Sequence, residues 1–234
     1  KVGTGVTIST TSGVATFRSG RIDVGDSLDN LSIGEAAGDA HTTGANNTAV
    51  GNAALTANTT GSSNIAVGKN SLKVNTTGAA NVAIGNEALE ENTTANDNVA
   101  IGVHAMGANT TGASNVAVGR GALDVNTTGS NNTAVGYNAL DANTTTSSNT
   151  AIGYNALGAN TAGENTAVGV SALEDNTTGT RNTAMGVDAL QECTTGNDNT
   201  AVGYNALENP TTASDNTAFG SYALTSNTTG ANNN

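Results

Sequence analysis

The chain has 234 residues, of which 3% are aromatic and 11% charged, with 30 glycines and a formal net charge of −12. An acidic chain of this kind argues against nucleic acid and anionic membrane surfaces as partners, because neither attracts negative charge. The one cysteine, Cys193, allows no intrachain disulfide, no apolar run approaches membrane-spanning length, and no signal-peptide pattern opens the sequence given.

Residues 1–29 alternate apolar and polar side chains (Val6, Ile8; Val14, Phe17; Ile22, Val24) around the turn residues Thr10 to Gly13. This predicts a strand-rich N-terminal cap or connector, the kind of segment that covers an open strand edge. No methionine precedes Lys1, and the last copy of the repeat breaks off at Asn233, as expected of a piece of a longer protein.

From Asn30 the chain repeats. A leading Asn recurs at 30, 47, 64, 81, 98, 115, 132, 149, 165, 182, 199 and 216, every 17 residues except for one step of 16. Numbering the unit 1 to 17 from that Asn, position 5 is Gly and position 13 is Thr in all twelve copies. Position 3 is Ala in eleven, with Ser32 the exception, and position 8 is Ala in eleven, with Ser71 the exception. A period near 20 marks a solenoid, in which a coil buries its apolar face only by stacking on its neighbours. In the copy from Asn132, the β-branched run Thr133, Ala134, Val135 stopped by Gly136 predicts a strand at positions 2 to 4. Ala139 and Leu140 begin a second predicted strand at positions 8 to 11. Asn143, Thr144 and the residues after them form the long corner, where no helix has room to grow. The expected fold is all-β, a parallel β-solenoid (β-roll) of twelve 17-residue coils across 30–234, about 55 to 60 Å long at the strand spacing. Asn132, Ala134, Val135, Gly136, Ala139, Leu140, Asn143 and Thr144 are its structural ladder positions.

The departures are few. Gly38 and His41 make the first unit a transition coil, Met106 replaces Leu, and Cys193 and Pro210 replace Asn at position 12. Pro210 implies that the amide at position 12 stays out of the ladder between coils. The short step after Glu164 reads as a missing position 17, so positions 12 to 17 read as the tolerant, outward side.

The block Asn-Thr-Ala-x-Gly-x-x-Ala-Leu, at Asn149–Leu157 and Asn199–Leu207, resembles the head repeats of trimeric autotransporter adhesins. It is more similar still to repeats in long tail fibres of bacteriophages, including marine ones. The opening run Val2 to Ile8 also resembles strand-rich segments preceding such repeats. The adhesin repeat is shorter, so the Asn-Thr-Thr-Gly corner reads as an insertion. The resemblance covers essentially the whole chain. It implies a homotrimeric fibre, extracellular on a virion or cell surface. A cell-surface glycan or protein receptor would be met by a region not present in this sequence. Phage fibre and adhesin stay open as alternatives.

Enzymatic chemistry is not expected. His41 and His104 occupy different repeat positions with no recurring carboxylate or thiol partner, and adjacent acids such as Glu90–Glu91 or Glu174–Asp175 point to opposite faces of a strand. No calcium-loop spacing occurs, so neither metal nor cofactor is expected. Asn-Thr-Thr reads as a glycosylation acceptor at Asn58, Asn75, Asn92, Asn109, Asn126, Asn143, Asn176 and Asn227, but stacked amide ladders explain it better. The second functional reading is a stand-alone solenoid binding ice or a repetitive glycan through its Thr and Asn ladders.

Two constrained faces point to self-association. Alanine at position 3 lies opposite Val or Ile at position 4, and alanine at position 8 lies opposite leucine at position 9. Neither set drifts toward polar residues. One set is expected to line the coil and the other to pack against sister chains, most simply three parallel copies. The pattern leaves open which set does which.

Overall fold

The structure, a computed structural model, describes residues 27–233. Most of the expected cap at 1–29 lies outside the described residues. Over the rest the chain is an all-β parallel solenoid with no helix among the described residues. Twelve three-residue strands, from β1 (Leu31–Ile33) and β2 (Thr48–Val50) to β12 (Thr217–Phe219), form one parallel sheet in chain order, joined by eleven pairings. The register is strict: each strand residue pairs with the residue at the same position of the next coil, as in Ala134↔Ala151 and Val135↔Ile152.

There is one strand per coil, not two. Positions 6 to 11 are turns, because positions 7 and 9 hold left-handed backbone: φ is 51° at Asn138 and 54° at Leu140. A β-strand cannot pass through two such residues. These turns nevertheless stay in the inter-coil ladder, as Leu140 N–H donates to Ala156 O at 3.1 Å and Ala142 N–H to Gly158 O at 3.1 Å. A leucine in this conformation costs on the order of 1–2 kcal/mol. Complete burial of the side chain at position 9, in ten coils from Leu55 to Leu207, returns about 2 kcal/mol each and offsets it.

The interior is thin and made of few residue types. Alanine at positions 3 and 8 and leucine at position 9 form the apolar core. The expected opposition of the alanine at position 8 and the leucine at position 9 therefore does not hold: both point inward in a single chain. The strand alternates as pleat geometry demands, with Ala134 buried and Thr133 and Val135 on the outside.

The long corner also corrects the sequence reading. Position 12 faces inward: Asn58, Asn75, Asn92, Asn109, Asn126, Asn143 and Asn176 are fully buried. Asn126 Nδ2 donates to Asn109 Oδ1 at 2.9 Å and to Gly129 O at 3.0 Å. The leading Asn makes a second column, in which Asn98 Oδ1 accepts from Asn115 N–H at 2.9 Å and Asn115 Nδ2 donates to the same Gly129 O at 2.9 Å. Two amide ladders therefore share the position-15 carbonyl, which satisfies polar groups the core would otherwise penalise. The backbone N–H at position 12 donates within its own coil, Asn126 to Leu123 O at 3.3 Å, so Pro210 removes no bond between coils.

The short step is resolved by the same contacts. Ala162 O accepts from Asn149 Nδ2 at 2.9 Å, the role of position 15, and Glu164 has φ of 64°, the conformation of position 17. The residue missing from that coil is position 14.

Glycine at position 5 has a local cause. Gly136 has φ of 145°, and a Cβ there would collide with the Gly153 carbonyl of the next coil. Both the backbone and the packing demand glycine at that corner.

Candidate functional site

Inside the rod the asparagine ladders tie up most polar groups of the repeating unit, so the surface columns are where function can reside. Of the eight ladder residues, Asn132, Ala134, Ala139, Leu140 and Asn143 lie in the interior, Gly136 forms the corner, and Val135 and Thr144 face outward.

Threonine at position 13 has its hydroxyl committed in nine of the twelve coils: Thr110 Oγ1 donates to Thr127 O at 2.9 Å, and the same bond recurs from Thr42 to Thr194. Position 14 is exposed wherever it exists, from Thr43 to Thr229. Because 13 and 14 lie on a bend, both reach the surface, contrary to strand alternation.

The strand face carries a continuous apolar column. Position 4 points outward and is apolar in all twelve coils: Ile33, Val50, Val67, Ile84, Ile101, Val118, Val135, Ile152, Val168, Met185, Val202 and Phe219. Position 2 beside it is never charged. Across the glycine corner, position 6 makes another column. Tyr137 and Tyr154 stack there with centroids 5.4 Å apart and planes 9° from parallel, and Arg120 sits 5.9 Å from the Tyr137 ring centre. Sequence reading passed over this column, although aromatic residues at one repeat position in adjacent coils were its signal.

Charged side chains stack in the same way along other columns. His104 lies 3.0 Å from Glu87, Lys73 lies 3.1 Å from Glu90, and Arg181 lies 2.7 Å from Asp198. Arg181 donates to Asp198 and holds its carboxyl below the usual value. An open hollow lies over Gly158, lined by Asn138, Asp141, Asn155, Glu174 and Asp175. A second, beside Gly121, shares Asn138 and Asp141 and adds His104, Arg120, Asp124 and Tyr137. Burial raises the Asp124 carboxyl, and burial together with the neighbouring Asp124 charge raises that of Asp141. No group of three His, Cys, Asp or Glu side chains among the described residues could hold a metal ion.

Cys193 is buried in the position-12 column, and burial pushes its thiol up to about 11. Its thiol donates one long hydrogen bond, from Sγ to Gly196 O at 3.8 Å. The asparagines of the acceptor motif are occupied by the ladder, which leaves their side-chain amides no solvent access apart from Asn227 at the last coil.

Fold and surface together define a parallel β-solenoid repeat protein with one apolar outer face. Comparison with protein families, with curated proteins and with solved structures gave no match. No helix of the described residues is long and apolar enough to cross a membrane.

Proposed function

We propose that the chain is a structural rod of a fibre, most simply three parallel copies packed through their strand faces, and not an enzyme. It works outside the cell, on a virion or cell surface, and holds a separate binding tip away from that surface. A glycan or protein receptor meets the tip, not the rod. The observation that carries this reading is the position-4 column, which is half-exposed or exposed in the single chain yet apolar in every coil. Contiguous apolar surface of that extent is a mark of an interface. Interior ladders that repeat without interruption suit a spacer, whose task is length and stiffness. Light scattering of the purified chain at micromolar concentration is the test: a mass about three times that of one chain is expected, and a mass of one chain would sink the fibre reading.

A second reading rests on the exposed threonines of position 14, whose hydroxyls have no bond within the rod that their column requires. In that reading the corner binds ice or a repetitive glycan. Thermal hysteresis in the purified protein supports the ice reading, and its absence removes it.

A further inference from the structure

The apolar surface does not follow one column from end to end. Position 4 is apolar throughout, but its apolar companion changes sides. In coils 64–131, position 2 is Ile65, Val82, Val99 and Val116, while position 6 begins with the polar Lys69 and Asn86. In coils 132–215, position 2 is Thr in every coil, and position 6 becomes Tyr137, Tyr154, Val170, Val187 and Tyr204, each exposed by 40% or more. Val103 and Arg120 mark the changeover. In the last coil the ring moves one residue further the same way: Ser221 holds position 6, and Tyr222 at position 7 packs edge-on against Tyr204 with centroids 5.3 Å apart.

Resting on the assembly of copies proposed above, we infer that the contact between sister chains runs obliquely across the coils, from positions 2 and 4 in coils 64–131 to positions 4 and 6 in coils 132–215. The occupant is another copy of this chain for two reasons. A column of side chains repeating at about 4.8 Å is matched along its length only by a partner with the same pitch, which a second copy has. No charge occurs at position 2 or 4 in any coil, and acids such as Glu90, Asp124, Glu174, Asp97 and Asp198 lie at positions 10 and 17, so copies of an acidic chain meet where they do not repel. The displacement of two residues, over four to five coils, inclines the seam by on the order of 15° to the columns. Drift of an apolar pattern off its structural repeat sets the crossing of partners in coiled helices, and the same geometric logic applies to stacked coils.

Four variants of the full chain separate this inference from the assembly it rests on. Val99→Glu and Val187→Glu each place a charge on the oblique seam. Thr183→Glu and Asn86→Glu place the same charge at the same two positions in the opposite halves, off the seam. Sedimentation over a concentration series is expected to show assembly unaffected by the second pair, and dissociation promoted about tenfold or more by each of the first. Circular dichroism and melting of each variant check the fold, and Val99→Ser and Val187→Ser give a milder pair should a glutamate impair folding. Equal effects of Val99→Glu and Thr183→Glu, or of Asn86→Glu and Val187→Glu, in an oligomeric protein overturn the oblique seam and leave assembly standing. A monomeric wild-type chain overturns both.

Discussion

Replacing Cys193 by asparagine should stabilise the rod. At position 12 an asparagine donates twice, as Asn126 does to Asn109 Oδ1 and to Gly129 O. Cys193 offers only the long thiol contact to Gly196 O, and Asn176 Oδ1 below it is left buried without a partner. Cys193→Asn supplies both missing bonds, each contributing about 1 kcal/mol net. It also moves the unpaired acceptor up one coil, to the Oδ1 of the introduced asparagine beneath Pro210, which has no side-chain donor. The single substitution is therefore worth about 1–2 kcal/mol, or roughly 2–8 °C in melting temperature for a chain of this size. Adding Pro210→Asn pairs that last acceptor, so the double variant should exceed the sum of the singles by about 1 kcal/mol. Urea unfolding of the four proteins in the cycle measures this coupling. An unchanged or lowered stability of Cys193→Asn, or strict additivity, would refute the claim that the amide ladder stabilises through its side-chain bonds.

Deleting one whole unit, residues 115–131, should leave a folded, shorter rod by circular dichroism, because each coil touches only its neighbours, whereas deleting Ala117 alone turns a strand's side chains to the wrong face and should abolish cooperative unfolding. Leu140→Asp buries a carboxylate within a single chain and should cost about 3 kcal/mol or more in denaturant unfolding, while Asp141→Ser should stay within about 0.5 kcal/mol. Gly136→Ala should be severely destabilising, by about 3 kcal/mol, since it combines a strained φ with a collision against the next coil; a melting temperature equal to wild type would show that the corner can relax. With burial holding the Asp124 and Asp141 carboxyls above their ordinary value of 3.8, the folded state binds their protons more readily than the unfolded state, so their contribution is fully present below that value and lost as pH rises through the folded one. Their contribution should therefore be larger near pH 3.8 than near neutral pH, and Asp124→Asn with Asp141→Asn should flatten that part of the melting-temperature profile.

The repeat, the strand at positions 2 to 4 and the solenoid itself were legible because identical residues at a fixed step carry their own geometry. Gly136 and its equivalents stop a β-branched run, and no long-range knowledge is needed to see it. What was illegible turned on backbone sign. Ala139-Leu140 reads as strand, since nothing in a leucine announces φ of 54°; tertiary burial imposes it against local preference. A signal was nonetheless present at the neighbouring left-handed positions. Position 7 includes Asn70, Asn138, Asn155, Asp188 and Asn205, and position 17 includes Asn46, Asp97, Asn131, Asp198 and Asp215, residue types that tolerate positive φ. The inward direction of Asn143 was equally hidden, because an asparagine suits a corner as well as a buried amide ladder until the neighbouring coil is placed beside it.

The bonds between coils run along the rod, which fixes how it meets force. Tension applied between its ends does not shear long strands past one another; it peels the terminal coil from the next, loading Val99 N–H to Asn115 O and its companions around the rung in succession. Each released coil frees 17 residues, an extension of about 50–55 Å beyond the rung height it occupied. A lone rod thus unwinds in equal lengths at low load, like thread from a spool. Sister chains packed along its strand face would have to be stripped away with every rung, converting a soft tether into a stiff one.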